Sequence, residues 1–507
     1  MDKIIINGNN LTIEEVVRVA RFNSKVELDS DAEENALKSC LLVDRFVNEG
    51  KVVYGITTGF GKFSDVVISQ EDIKKLQRNL IISHACGVGE PFDIEIARGV
   101  MLLRANALIK GFSGARISTI KTLVEMLNKG VTPVIYDKGS LGASGDLAPL
   151  SHMVLVMIGE GEAFYNGNRM SGRSAMEQAG IEIIELVAKE GLALINGTQV
   201  MTAVGTLTIY DAINLTKASD IIGSMTVEGL RGITDAYYHR VHEVRPQPGQ
   251  IKTAANLLRI LEGSKLTTRQ GELRVQDAYT IRCIPQIHGA SKDAINYVKN
   301  VIEIEINSAT DNPLIFVDEE RVISGGNFHG QPVALAMDFL GIALAEIASV
   351  SERRIERLVN YQLNDLPAFL IKKGGLNSGF MIAQYSAAAL VSENKILAHP
   401  ACVDSIPSSA NQEDHVSMGT IGARKARSIL YNVSRVLGIE YLAASQAIYL
   451  RGEVTLGKGT HPAYELIRED ISPLEEDRVM YIDINKASEI VTSGRLVECV
   501  ENAIGKL

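Results

Sequence analysis

Residues 138–153 read KGSLGASGDLAPLSHM, and the centre of this run can do chemistry on itself. The amide nitrogen of Gly145 has no Cβ beside it, so a loop that presses the chain back lets it attack the carbonyl of Ala143, two residues upstream. Loss of water closes a five-membered ring. Ser144 then loses its hydroxyl as a second water and leaves an exocyclic methylene. The product, 4-methylidene-imidazol-5-one (MIO), is a strong electrophile that requires Ala143, Ser144 and Gly145 in that order. Gly139 and Gly142 permit the strained turn this needs. A plainer reading makes the run a Gly-rich loop in which Ser144 or Asp146 caps a helix continuing to Ile158.

Five further segments are distinctive, YGITTGFG (54–61), SHACGVG (83–89), NGTQ (196–199), QDAYTIR (276–282) and SIPSSANQEDH (405–415), and GGNFHG (325–330) stands with them. In this order, with the Ala-Ser-Gly string, they resemble the aromatic amino-acid ammonia-lyase family over essentially the full chain. Ser83-His84 and a Glu following Asn-Gln resemble its histidine-specific branch, because tyrosine lyases show His-Leu and phenylalanine lyases Phe-Leu at the first place. The resemblance implies conversion of L-histidine to trans-urocanate and ammonia, the opening step of histidine degradation, with MIO from Ala143-Ser144-Gly145 and no external cofactor. It implies Tyr54 as the base for the β-proton, Tyr279 as a second tyrosine near the ring, and Arg282 as a bidentate clamp on the substrate carboxylate. It also implies Asn196 on the ring and the substrate's polar end, His84 and Glu413 on the imidazole, and Gln276 and Phe328 among the substrate-binding residues. Local differences from that family, such as Ala278 where related sequences often have Pro, fall on the helix backbone.

Each residue has a bland alternative: a loop anchor for Tyr54, a packed helix residue for Tyr279, a surface salt bridge for Arg282, a turn residue for Asn196. His84 in a last helical turn and Glu413 in a first one would complement the helix dipole. Competing functional readings are a tyrosine or phenylalanine lyase or aminomutase on the same scaffold, and a helical protein that keeps the fold without the ring. Gly59-x-Gly61-Lys62 lacks the remaining residues of a phosphate-binding loop. His239-x-x-His242 lacks a third ligand at metalloprotease spacing, so both are read as exposed polar residues and no metal is assigned.

The elements that must position these residues are mostly helices. Thr12-x-x-Glu15 is a capping box, and a second helix is expected from about Asp31 to Val47. Ile4–Ile6 reads as an opening strand, residues 51–63 as a short strand followed by an irregular loop, and Asn166-Gly167 as the turn of a small hairpin. Helical spacing recurs from Glu71 to Gly87, Ala97 to Leu108 and Ile117 to Leu127. Long helices are expected at 199–224, 290–306, 332–359, 379–398 and 413–450. Gln276, Tyr279 and Arg282, three apart, read as one helix face that ends at Pro285. The expectation is a mainly α protein, a long-helix bundle with a smaller mixed N-terminal region. The resemblance specifies a fumarase/aspartase-like bundle assembled as a homotetramer. Residues 1-195 then form an N-terminal region bearing the ring loop and 196-507 the long-helix region, together one catalytic unit. No βαβ alternation is evident.

The 507 residues carry a net charge of −10, which disfavours nucleic acid and acidic lipid surfaces as partners. Apolar residues make up 46% and charged residues 22%, the balance of a folded globular chain. Five cysteines, widely spaced and never Cys-x-x-Cys, fit a reducing cytoplasm. The longest apolar run, Pro332 to Val350, contains Asp338 and Glu346 and reads as a buried bundle helix, not a membrane span.

Overall fold

The structure, a computed structural model, describes residues 3–59 and 68–507. It is mainly α, with nineteen α-helices among the described residues. Two compact units are each built from three stretches of chain: Met1–Tyr210, Lys299–Asp338 and Pro400–Arg424 form the first, and Asp211–Val298, Phe339–His399 and Lys425–Leu507 the second.

The first unit is the mixed one. Thr12 caps the helix Ile13–Phe22 by accepting from the Glu15 N–H, and the Glu15 side chain accepts from the Thr12 N–H in return. Ile4–Ile6 pairs in parallel with Val26–Leu28 across that helix, so one small βαβ unit is present where none was expected. The helix Ile94–Ile109 is buried almost all round, and packs against Ile13–Phe22 and Ile117–Lys129. Its Arg98 lies inside because its guanidinium bonds the carbonyls of Val19 and Leu127. Asn166 and Gly167, both at positive φ, turn the hairpin Glu162–Tyr165/Asn168–Ser171 as their residue types require.

Residues 51–59 form a turn and no strand; the rest of that expected segment, 60–63, lies outside the described residues. The Thr57 hydroxyl accepts from the Val53 N–H at 2.9 Å and Thr58 from Gly55 at 3.2 Å, which gives the backbone local partners in place of a ladder. Ile56 is fully buried with Leu42, Val43, Phe46 and Ile73 and anchors Tyr54 two residues before it.

The long helices appear as Gln199–Gly229, Ile284–Glu305, Gln331–Val359, Met381–Leu397 and Gly419–Arg451. Four of them are stitched together inside the second unit by a buried polar network. Arg354 makes a two-pronged bond to Glu440, at 2.5 and 2.9 Å, and Glu440 also accepts from Thr226 and Ser351. Arg354 donates to His288 Nε2 at 3.2 Å, and His288 Nδ1–H donates to Asp220 at 2.9 Å. Lys292 and Asn256, the latter on Pro248–Ile260, complete the shell of Asp220. Side-by-side packing of these helices is therefore specified by paired charges as well as by apolar surface.

Burial, reinforced by the Arg354 charge, pushes the His288 pKa below the ordinary imidazole value. The folded chain then refuses a proton that the unfolded chain accepts below pH ~6.5. Stability contributed by neutral His288 is full above that pH and is lost as pH falls toward the folded pKa. The urea midpoint of the wild type is expected to drop between pH 7.5 and 5 more steeply than that of His288→Asn, which keeps an N–H toward Asp220 but does not titrate. The difference reaches roughly tenfold in the folding equilibrium per pH unit; parallel curves would show that His288 does not titrate across unfolding.

Gln331–Val359 is the one helix among the described residues long and apolar enough to cross a membrane. Its Asp338 is buried and accepts from the N–H groups of Ala401 and Cys402, as in the interior of a folded unit. Leu335, Phe339 and Ile342, at helical spacing, stand 38%, 45% and 47% exposed. The Tyr297 ring lies 5.8 Å from that of Phe339, and the stripe is otherwise open among the described residues.

Candidate active site

Ser144 sits at φ 52°, in the left-handed region, between Gly142 at φ 82° and Gly145 at φ 75°. Gly142 and Gly145 bridge each other, and Gly145 also bridges Gly197. A Cβ on Gly142 would lie 2.2 Å from Ser417 Oγ, and one on Gly145 would lie 2.2 Å from the Gly197 carbonyl oxygen. Only glycine fits either place. The loop is closed by Ser140, whose hydroxyl donates to the Gly145 carbonyl at 3.3 Å, and by the Asp146 N–H on the Gly197 carbonyl at 2.7 Å.

Asp146 stands at the N-cap of its own helix, Leu147–Met157, but its side chain makes no capping bond there. Its carboxylate is fully buried and accepts from the N–H groups of Val200 and Met201 at 3.0 and 2.9 Å, and from the hydroxyls of Ser140 and Thr420. It thus caps the next long helix, Gln199–Gly229, and pins the Ala-Ser-Gly turn to that helix N-terminus. Burial pushes its pKa up while the four donors oppose the shift.

Asn196 ends the short helix Glu190–Ile195. Its Nδ2 donates to the Asn312 carbonyl at 3.1 Å, while its Oδ1 is buried without a partner among the described residues, an uncommitted acceptor beside the turn against which Gly145 packs. Arg104, fully buried, braces this corner through Gln199 Oε1, the Thr310 carbonyl and the Ala193 carbonyl. Burial lowers its pKa to about 10. Neither Arg104 nor the anchoring role of Asp146 was singled out from sequence; the two arginines, Arg98 and Arg104, set in the apolar run 96–109 were the available signal.

His84 is the last residue of the helix Ile73–His84, as the dipole reading expects, with its Nδ1 3.0 Å from Ser83 Oγ. Burial lowers its pKa, while the Leu80 carbonyl and the Glu413 carboxylate pull the other way. Glu413 lies in a loop and not in the first turn of a helix, because the helix begins at Gly419. Met418, at φ 54°, donates its N–H to the Leu141 carbonyl at 3.0 Å, which commits this segment to the ring loop. Ser409, Ala410 and Asn411 are all left-handed and turn the chain so that Ser408 and Glu413 pair through backbone and side chain. Phe328, half-buried, lies in the turn before Gln331–Val359. Asn312 ties that region to the Asn196 corner by accepting from the Gly325 N–H at 2.7 Å.

Tyr54, His84, Ala143, Ser144, Gly145, Asn196, Phe328 and Glu413 belong to the first unit, and Gln276, Tyr279 and Arg282 to the second. The single helix face expected for these last three is absent. Buried Asp277 accepts the Ile233 N–H at 2.6 Å and pairs with Arg274, so helix begins only at Tyr279 and runs to Arg282. Pro285 opens the following helix, where its missing N–H costs nothing. The Arg282 guanidinium lies 4.7 Å above the Tyr279 ring, its Nε is buried without a partner, and it has no carboxylate partner among the described residues. Tyr279 is 70% exposed. His242, expected to be exposed, is instead buried: its Nε2–H donates to the Ala236 carbonyl and its Nδ1 accepts from Gln250.

A helical fold carrying an Ala-Ser-Gly turn held in this way defines a class of protein. The chain belongs to the aromatic amino acid lyase family, whose model matches residues 11–469; the family is MIO-dependent. Among its relatives is the histidine ammonia-lyase of Alkaliphilus oremlandii, 68% identical over 99% of both chains. Among solved structures, the histidine ammonia-lyase of Trypanosoma cruzi is 41% identical with a TM-score of 0.93, over 99% of this chain and 96% of that one. The tyrosine aminomutase of Streptomyces globisporus is 37% identical with a TM-score of 0.96, over the full length of both.

Proposed function

We propose that this chain eliminates ammonia from L-histidine to give trans-urocanate, the first step of histidine degradation, with an MIO group formed from Ala143, Ser144 and Gly145. The observation that carries the reaction class is the left-handed Ser144 between two glycines that no other residue could replace. Histidine as substrate is supported by the relative at 68% identity and by the Glu413 carboxylate, whose charge raises the His84 pKa against the effect of burial.

The residues around the turn fit the ring: Asn196 Oδ1 is a buried acceptor without a partner among the described residues, and Gly145 and Gly197 leave no room for a side chain between them. The chemistry the group supplies is an electron-poor carbon, without which a poorly acidic β-proton and a poor leaving group leave acid/base catalysis short of reach. In this reading Arg282 holds the substrate carboxylate through two parallel bonds, and its uncommitted donors support that role. Tyr54 takes the β-proton and Tyr279 stands as the second phenol. Asn196 holds the ring and the polar end of the substrate, and Gln276 and Phe328 help bind it. His84 and Glu413 receive the imidazole. The regions 1-195 and 196-507 act together as one catalytic unit.

Incubating the purified protein with L-histidine is expected to release equal amounts of urocanate and ammonia. An aminomutase, the activity named for one solved relative, would instead deliver a β-amino acid, and that product or a lack of turnover would refute the proposal.

The proposal includes a cytoplasmic homotetramer with each active site built from several subunits, taking small-molecule substrate and neither nucleic acid nor membrane. The exposed stripe of Leu335, Phe339 and Ile342 supports it, since an uncovered apolar helix face calls for a neighbour. Light scattering is expected to give four chains in the active species; an active monomer would exclude the assembly.

A further inference from the structure

His329 joins the two segments that bear Phe328 and Glu413. Its Nε2–H donates to the His415 carbonyl and its Nδ1 accepts from the Gln331 N–H, each at 3.3 Å. Both bonds are made together only by the neutral Nε2–H tautomer. The His329 and His415 rings lie parallel within 5°, with centroids 6.0 Å apart. At the next residue the two segments abut, since a Cβ on Gly330 would stand 3.0 Å from Ser417 Oγ.

Beyond Glu413 the second segment is also tied by the Val416 N–H on Ser405 Oγ and the Met418 N–H on the Leu141 carbonyl, each at 3.0 Å. Glu413 hangs on the Ser408 pairing across a turn of three left-handed residues. Asp414 and His415 are exposed. The tie from His329 enters two residues beyond Glu413, and the side chain that makes it follows Phe328 directly.

We propose that His329 is a positioning residue, whose bond to the His415 carbonyl sets Glu413 against the turn bearing Phe328. The proposal rests on the reading of Glu413 as the partner of the substrate imidazole and deepens it. A merely structural alternative exists, because the bond from Gln331 caps the start of the helix Gln331–Val359. The two bonds come from different ring nitrogens, so they can be removed separately.

Gln places an amide N–H where Nε2 stands and loses the acceptor at Nδ1; Asn places an oxygen near Nδ1 and does not reach His415. His329→Asn is therefore expected to raise KM for L-histidine roughly three- to tenfold, the scale of one lost hydrogen bond, with kcat within about twofold. His329→Gln is expected to keep KM near wild type while melting at a lower temperature. The double variant His329→Asn/Glu413→Gln should show no higher KM than Glu413→Gln alone, because the tie acts through Glu413. Unchanged KM in His329→Asn, equal KM in the Asn and Gln variants, or effects that multiply in the double variant would each overturn the proposal. If Glu413→Gln by itself leaves KM for histidine unchanged, the reading of Glu413 falls, and this result is distinct from a failure confined to position 329.

Discussion

Intact protein is expected to weigh two waters less than its sequence, and Ser144→Ala to weigh its full mass less at most the one water that ring closure alone removes. Ala has no hydroxyl to lose, so the exocyclic methylene cannot form even if Gly145 attacks the Ala143 carbonyl. Turnover of histidine in Ser144→Ala should fall by roughly 10³-fold or more, the scale seen when the reactive member of a catalytic unit is removed. The ring is expected to close without a helper protein. Asp146 and Ser140 hold the two ends of the turn, Gly142 and Gly145 carry positive φ, and a side chain on either would strike Ser417 or Gly197. Gly142→Ala is accordingly expected to fold while retaining its full mass. An active preparation whose intact mass shows no deficit would refute ring formation at these residues.

The long helices were legible because apolar spacing survives in the sequence whatever the partner surface is; the expected 199–224 and 332–359 became Gln199–Gly229 and Gln331–Val359. Thr12, Glu15, Asn166 and Gly167 were legible because they act on their own neighbours. What escaped depends on distant chain. Asp146 was read as a local cap, yet its acceptors serve Val200 and Met201, and nothing near residue 146 carries that information. Glu413 looked helical because the apolar periodicity runs back through Val416 and Met418, whereas Met418 is pledged to Leu141. Gln276 shared the three-residue spacing of Tyr279 and Arg282, but Asp277 between them is held by Ile233 from outside the segment. The types and order of the candidate residues were thus readable from motifs, while the bonds that aim them were not.

Selectivity is where the substrate assignment stands or falls. Burial lowers the His84 pKa and Ser83 takes its Nδ1, so Nε2 is the ring nitrogen left to meet a ligand, while Glu413, steadied by Ser408 at 3.0 Å, offers a carboxylate. A substrate imidazole entering this place carries one N–H and one bare nitrogen, and needs a partner for each. His84→Leu or Glu413→Ala strands one of them in a desolvated site at a cost of about 1–3 kcal/mol, which is roughly ten- to two-hundred-fold in kcat/KM. The loss is selective, since tyrosine and phenylalanine present no ring nitrogen to strand. Wild type is expected to release urocanate from L-histidine and little coumarate or cinnamate from tyrosine or phenylalanine, and His84→Leu to narrow that ratio by weakening histidine. The measurement is kcat/KM for the three amino acids across wild type and both variants. If wild type prefers tyrosine, or if both variants turn over histidine as wild type does, then His84 and Glu413 are not the imidazole partners and histidine is not the substrate they select. Ring formation at Ser144 would survive either result, because the turn that drives it is braced by Asp146, Ser140 and Gly197 and uses neither residue.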